Sequence, residues 1–435
     1  METRRVLNNA KWIILCKVFQ SLMQLAVGML CARYLGPSNY GLINYAASIV
    51  AFAMPLMKLG FDATLVHALV QEPDQERKIM GTAMVLNLLS ALACMGGVFA
   101  FVSVVDHSEP VTIWVCVLYS LSLLTTALEM VQYWFQYKLM SKYSSLVMLG
   151  TYVLVSLYKI FLLITGKSVY WFAIANALDY GCIGVCLILI YLRNDGGFAF
   201  SWSRAKKLLS VSAQYIPASL MVVIFQSTDH IMLTTMIGKE ENGFYTAAVT
   251  CACVVQFVYT ALIDSFRPMI LSNKKENDPK YERNISRLYS LTSYLSLAQS
   301  IVFTIFAGLI VKILYGADYA ATVPVLQILV WYNTFSCMGA VRNVWILAEQ
   351  KQKYLWIINL CGAVFNIVLN AVMIPVAGAA GAAFASLMTQ LFTNFVLGFI
   401  IKPIRKNNIL LLKGLSPVFS FRETRMFIDE MRKKR

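Results

Sequence analysis

Besides Lys11 and Lys58 at the ends of such stretches, ten ionisable side chains stand inside stretches that are otherwise apolar: Lys17, Glu129, Lys159, Asp179, Asp229, His230, Asp264, Arg267, Lys312 and Arg342. A charge at bilayer depth costs at least about 2.5–3.5 kcal/mol on insertion scales, so each needs a partner or a task. A guanidinium grips phosphate oxygens in pairs and an ammonium supplies a point charge. Lys17, Arg267 and Arg342 therefore suit an anionic headgroup. Asp264 and Arg267 stand three apart, a spacing at which they also suit each other. Lys159 and Asp179 suit a pair between neighbouring stretches, and Lys312, near a helix end, can reach the interface along its own stem. Other chemistry is poorly supplied. The three histidines, His67, His107 and His230, form neither a triad nor a metal-ligand spacing. Gly166-Lys167-Ser168 ends like a phosphate-binding loop, but Phe161 occupies the position that requires glycine. The ten cysteines form no CxxC pair and read as small apolar packing residues. No catalytic residue and no metal site is assigned.

The elements that must carry these charges are long and apolar. The chain is 59% hydrophobic and 14% charged, with a mean hydropathy of +0.65, where a soluble domain carries about 25% charge. One crossing of a bilayer takes roughly 20 apolar helical residues. Twelve such spans are expected at 11–32, 40–58, 80–104, 111–136, 145–165, 169–192, 208–236, 243–270, 288–314, 323–348, 354–375 and 379–401. Runs of this length in lipid are helices, because only a helix satisfies its own backbone there. The expected class is an all-α polytopic membrane protein.

Basic residues give the orientation. Of 37 Lys and Arg, 29 fall in the termini and in one alternate set of connectors, including Arg77-Lys78, Arg204, Lys206 and Lys207. The opposite side holds Arg33, Lys167 and Lys239. Basic loops are retained in the cytoplasm, which places both termini there, in the inner membrane. The net charge of +15 is then topology, and no nucleic-acid partner is required. The connectors around 59–79, 193–207 and 271–287 are too short for a soluble catalytic domain. The run 409–412 plus 415–419 is too short and broken for a thirteenth span, and the tail 403–435 reads as a basic anchor on anionic headgroups.

The chain is also doubled. Gly36 and Gly41 after span 1 match Gly238 and Gly243 after span 7 at an offset of 202, as Gln24 matches Gln226. Trp134 through Tyr143 matches Trp345 through Tyr354 at an offset of 211. Each glycine is expected to supply a tight external turn. Two six-helix lobes follow, 1–200 and 201–402, related by an axis along the membrane normal, with a path near the midplane. Polar stripes line early spans: Lys17, Gln20 and Gln24 in span 1, Asn44 leading to Lys58 in span 2, and Glu129 in span 4. Such stripes either glue helices together or line a hydrated cavity.

"YLGPSNYGLINYAASIVAFAMPLMKLGF" at 34–61, "WFQYKLMSKYSSL" at 134–146 and "IPVAGAAGAAFASLM" at 374–388 carry a family likeness. They resemble the polysaccharide, or O-antigen, flippase branch of the multidrug/oligosaccharidyl-lipid/polysaccharide (MOP) exporter superfamily. The resemblance covers about 10–402. It implies two six-helix lobes around a central cavity that opens alternately to each side. It also implies the cargo, an oligosaccharide on undecaprenyl pyrophosphate. Members of that branch carry cationic residues in the cavity, at depths comparable to those of Lys17 and Arg267. Together with the polar stripes and in-span charges, the candidate cavity residues are Lys17, Gln20, Gln24, Asn44, Lys58, Glu129, Arg267 and Arg342. The polysaccharide polymerase and chain-length regulator become candidate partners besides the bilayer. Related flippases bind Na⁺ through an acidic residue on span 7, a pair on span 11 and a hydroxyl on span 12; Asp229, Asn366, Asn370 and Ser386 stand here. The pattern has a carboxylate where Asn370 is, so Na⁺, H⁺ through Asp229–His230, and no coupling ion all stay open. A drug/cation antiporter of the same superfamily and a non-transporting scaffold for glycan assembly are the rival readings.

Overall fold

A computed structural model of the chain describes residues 2–194, 196–272 and 279–419, setting aside within them the side chains of 2–19, 21, 22, 141, 225, 268, 272 and 279. Every regular element among the described residues is helical. By backbone contacts the chain divides into two compact units, Met1–Gly243 and Phe244–Arg435.

The first unit holds α1 (Glu2–Lys58), α2 (Phe61–Gln71), α3 (Glu76–Val105), α4 (Pro110–Glu129) and α5 (Gln132–Tyr137). It continues with α6 (Ser141–Ile164), α7 (Val169–Arg193), α8 (Trp202–Ser212), α9 (Ile216–Met236) and the start of α10 (Lys239–Ala252). Here α4 is the centre, packed against α1, α3 and α7, while α9 lies along α1. Its core is apolar and small-residue rich, with Tyr45, Met57, Ala91, Cys116, Leu123 and Ala127 fully buried. The second unit holds α11 (Gln256–Ser272), α12 (Pro279–Leu314), α13 (Thr322–Ala348), α14 (Lys353–Leu391), α15 (Leu397–Ile400) and α16 (Arg405–Leu415). In it α13 is central, against α11, α12 and α14.

Among the described residues, nine helical stretches are long and apolar enough to cross a bilayer. The chain is a multi-pass membrane protein. Two stretches, Met23–Gln71 and Lys353–Ile400, run 49 and 48 residues, more than twice what one crossing takes. Both are broken where the sequence separates two spans: α1 at Gly36 (φ 70°, ψ 171°) and α14 at Ala377 and Gly378 (φ 53°, ψ −131°). The expected span 323–348 coincides with α13, which is not among the nine. Asn333, Thr334 and Arg342 lower its hydropathy, and they are tolerated because α13 is buried within its unit and spared from lipid. Two short helices are unexpected: α2 lies in the connector after the second half of α1, and α8 runs from the connector 193–207 into the start of the expected span 208–236, ahead of α9.

The sequence repeat at offset 211 is a repeated helix ending. Leu139 and Gln350 both take left-handed backbone, φ 56° and 53°. The following N–H of Met140 reaches Phe135 O at 2.8 Å, and that of Lys351 reaches Ile346 O at 2.9 Å, the six-to-one bond that closes a helix C-terminus. Trp134 and Trp345 are buried at both endings, and a lysine lies over each ring, Lys138 at 5.7 Å and Lys351 at 4.6 Å. Non-glycine residues pay about 1–2 kcal/mol to enter left-handed backbone. The buried tryptophan and the capped carbonyls offset it.

The glycines of the other repeat divide their work, contrary to the single role expected. Gly36 and Gly238, with φ 70° and 143°, make the turns. Gly41 and Gly243 are helical and make a close contact instead. A Cβ on Gly41 would lie 1.8 Å from Lys239 O, and one on Gly243 would lie 2.0 Å from Pro37 O.

Candidate functional site

The first unit gathers intramembrane polar groups where α1, α2, α3 and α4 meet. Lys58, Asp62, Asn87, Thr126, Glu129 and Gln132 line one small cleft with room for about one water molecule (≈ 10 Å³). Glu129 ends α4 and is 9% exposed. Its Oε1 accepts from Gln132 Nε2 at 3.2 Å, and Lys58 and Asp179 lie within electrostatic reach. α4 stops there because the helix is interrupted at Met130 and Val131 before α5 begins, which leaves the carboxylate at a helix end. Asp179, in α7, has a buried Oδ1 without a partner, and no ion pair joins it to Lys159 within 4 Å. An alternating set of carboxylates and one ammonium within a membrane region can hold a cation, a proton or the polar part of a cargo.

The polar stripe of α1 is distributed differently. Gln20 is half-buried and Gln24 exposed, while the side chain of Lys17 lies outside the described residues. Asn44 Nδ2 donates to Tyr40 O at 2.8 Å and Ser48 Oγ to Asn44 O at 2.8 Å. Both bonds stay within their own helix, so the lower stripe satisfies itself, and Lys58 at its end shares the cleft with Glu129.

Around Gly41 a second polar set forms. His230 Nδ1 lies 2.7 Å from Asn242 Oδ1, and Asn242 Nδ2 donates to Gly41 O at 2.9 Å. The amide oxygen only accepts, so Nδ1 carries the proton. His230 thus works as the staple of a close helix contact. Nearby, Tyr45 Oη donates to Asp106 Oδ2 at 2.9 Å, and Glu109 takes both Lys239 and the Thr112 hydroxyl (2.7 Å). Outside the spans, Lys239 and then Thr112 hold the Glu109 carboxyl below the usual range, whereas burial pushes Asp106 up.

In the second unit the predicted cations are occupied. Arg342 is 4% exposed on α13. Its Nη1 donates to Thr393 O at 2.8 Å and its Nη2 to Asn343 Oδ1 at 3.2 Å. Thr393 sits in a π-turn, Phe392–Val396, that widens the helix after α14. Such turns disturb the backbone ladder and bare a carbonyl, and Arg342 answers it. Arg267 pairs with Asp264 at 3.2 Å on α11, both about half exposed (49% and 51%), as the three-residue spacing allowed.

Of the expected coupling-ion residues, three lie in the second unit and Asp229 in the first. Asn366, Asn370 and Ser386 are buried in the second unit, with Asn370 Nδ2 donating to Asn366 Oδ1 at 3.1 Å and Ser386 Oγ 3.3 Å from Tyr245 Oη. Asn366, Asn370 and Ser386 are neutral, so these three supply no net charge toward a cation. Asp229 is buried in the first unit. Among the described residues no group of three or more His, Cys, Asp or Glu is arranged to hold a metal.

Sequence reading missed Asn87 and Tyr133 in the Glu129 cleft. An asparagine in the apolar middle of α3 was the available signal. It also missed the pairing of Glu72 with Arg204 and Lys207, because a pair 132 to 135 residues apart leaves no local pattern.

The model of a family described as polysaccharide biosynthesis protein matches residues 30–324. The chain belongs to that family. A candidate O-antigen transporter of Shigella flexneri is 20% identical to it over 402 residues, covering 87% of this chain and 93% of that one. Lipid II flippase MurJ, in an inward closed conformation, superimposes with a TM-score of 0.69 at 15% identity, covering 93% of this chain and 90% of that one. An inward-facing multidrug resistance transporter of the MATE family superimposes at 0.66 and 14% identity, covering 91% and 96%. The chain therefore shares the fold of MurJ and of a MATE transporter of the MOP superfamily, the fold that the three sequence stretches implied.

Proposed function

We propose that this protein is a flippase that moves an undecaprenyl-pyrophosphate-linked oligosaccharide from the cytoplasmic to the external leaflet by alternating access. It acts in the inner membrane with both termini cytoplasmic, and it makes and breaks no covalent bond. The observation that carries the reading is the near end-to-end match to a candidate O-antigen transporter, joined to family membership over 30–324. The fold neighbours, a lipid II flippase among them, are compatible with it. A pyrophosphate-sugar headgroup loses its solvation in hydrocarbon, so a carrier needs polar and cationic groups at membrane depth. Lys58, Gln132, Asn87 and Glu129 supply a polar set in the first unit. Arg267, half exposed, supplies a cation in the second, and Lys17 is assigned with it from the sequence. Asp264 tempers Arg267, which suits a reversible grip on phosphate more than a permanent one.

The test is a chromosomal deletion, followed by mass spectrometry of undecaprenyl-linked lipids and a gel of surface polysaccharide. Lipid-linked repeat units should accumulate while surface polymer disappears, both reversed by the wild-type gene, with no single-unit capping of the surface lipid. Normal lipid pools and normal polymer, in a strain without a second transporter of this kind, would overturn the reading.

A further inference from the structure

A cavity of ≈ 290 Å³ opens between α2, the start of α3 and α8, within the first unit, and shares no lining residue with the Glu129 cleft. Ala63, Ala68, Ile79, Leu208 and Val211 give it an apolar wall, Thr64, His67, Gln71 and Tyr215 add polar groups, and Arg204, Lys207 and Glu72 supply the charges. Glu72 takes both cations, Lys207 at 2.5 Å and Arg204 as well. Lys207, then Arg204, holds its carboxyl below the usual range. Two cations on one carboxylate leave one positive charge over at the rim. Arg204 has further N–H donors, and Lys207 remains 65% exposed.

The surroundings say what fills it. α8 is held firmly, since Ala199 N–H donates to Arg77 O at 3.0 Å and Ser201 N–H to Thr82 Oγ1 at 3.0 Å. The strap leading into it turns Phe198, Phe200 and Trp202 outward, 41%, 50% and 65% exposed. Exposed aromatics beside basic residues at the ends of spans sit at the level of the headgroups. In that layer the abundant amphiphile is phospholipid. The volume lies at the lower bound of small-molecule pockets, about 300 Å³, enough for a phosphoglycerol and a few methylenes and far too small for a lipid-linked oligosaccharide.

We infer that this cavity binds an anionic glycerophospholipid, its phosphate against Arg204 and Lys207 and the start of an acyl chain along Leu208 and Val211. The site is separate from the cargo reading and stands whether or not that reading does. Bound lipid ties α8 to α2, so occupancy couples the first unit to the composition of the leaflet on its basic side.

Native mass spectrometry of the full-length protein, from nanodiscs containing phosphatidylglycerol and phosphatidylethanolamine, tests this. The wild type should retain phosphatidylglycerol preferentially. Arg204→Gln and Lys207→Gln should each lower retention about fivefold, roughly 1 kcal/mol per cation near a membrane surface. Lys206→Gln, on the same helix but off the cavity, should change nothing. Glu72→Gln should raise retention, because it frees both cations, whereas a purely structural role predicts a fall. Val211→Trp fills the apolar wall with the charges intact and should also lower retention, which keeps the test open if the charge variants misfold. Equal retention by the wild type and a variant carrying both Arg204→Gln and Lys207→Gln, an equal effect of Lys206→Gln, or a fall with Glu72→Gln would overturn the proposal. Displacement of the lipid by excess inorganic phosphate would overturn it in favour of a soluble anion.

Discussion

Gly41→Ala should be among the most damaging single-methyl additions in this chain. The added Cβ would lie 1.8 Å from Lys239 O and 2.7 Å from Gly243 N, where ordinary contact begins at 3.4 Å. Restoring contact to Lys239 O means a separation of 1.6 Å, from 1.8 to 3.4 Å. Both obstructing atoms are backbone, so no rotamer change relieves the clash. A movement of that size exceeds the slack in the 2.9 Å bond from Asn242 Nδ2 to Gly41 O, and it loosens Asn242 from His230. Overpacking costs about 1–3 kcal/mol, and the strained hydrogen bonds add roughly 1 kcal/mol. A loss of about 3 kcal/mol is therefore expected, seen as a lowered melting temperature in detergent and a reduced amount of folded protein in membranes. Gly28→Ala is the control, since nothing lies within 4 Å of its added Cβ and alanine favours a helix by about 0.5–1 kcal/mol. If Gly41→Ala melts with Gly28→Ala, the helix contact has been misread.

Four further outcomes are expected. Glu129→Gln should lower surface polymer at unchanged protein level, since it removes the carboxylate that faces Lys58 while keeping shape; unchanged polymer would remove the cleft from the transport path. Arg267→Ala should leave the stability within about 0.5 kcal/mol of the wild type, because its partner is a half-exposed three-residue neighbour. A fall in polymer there would then report on cargo handling, and normal polymer would sink that role. Arg342→Met should cost about 1–3 kcal/mol of stability, by leaving Thr393 O buried without a donor; a melt equal to the wild type would refute it. Lys239→Gln should flatten the acid limb of stability. Glu109 has a depressed folded pKa, so its contribution is present above the unfolded value and lost as pH falls through the folded one. Asp106, pushed up, acts with the opposite sign, its share lost as pH rises. The Glu109 effect should be about 0.5 kcal/mol, because that side chain is half exposed, and melts from pH 7 to pH 4 with an unaltered slope in the variant would contradict it.

What was legible in the sequence was whatever has a period or a register. Apolar runs of about 20 residues gave the helices, and the breaks at Gly36 and at Ala377–Gly378 fall where the sequence separates spans. The Trp134 and Trp345 repeat was readable because a helix ending needs a fixed number of residues between the buried ring and the left-handed one. The role of Gly41 was not, since a glycine that permits close approach looks like one that permits a turn until its neighbour at Lys239 is known. The Arg342 partner was equally hidden, because a π-turn at Phe392–Val396 is invisible in composition. α2 and α8 were passed over since each is only 11 residues long. Their helicity depends on packing against each other and on α3 and α5.

The charged residues of the spans differ in how much of each is already spent. Arg342 is committed to a backbone carbonyl that the π-turn exposes, so mutating it tests folding. His230 is committed to Asn242 and through it to the glycine contact, so a pH effect assigned to it would have to survive breaking that staple. Glu129 has one neutral partner, Gln132, within hydrogen-bonding distance and one cation, Lys58, within reach. Arg267 has one carboxylate at a half-exposed position. Removing a committed group leaves a buried orphan, whereas removing a lightly held group leaves the fold with little to repair. Function is therefore best sought at Glu129, Lys58 and Arg267, where loss of transport can be told apart from loss of structure.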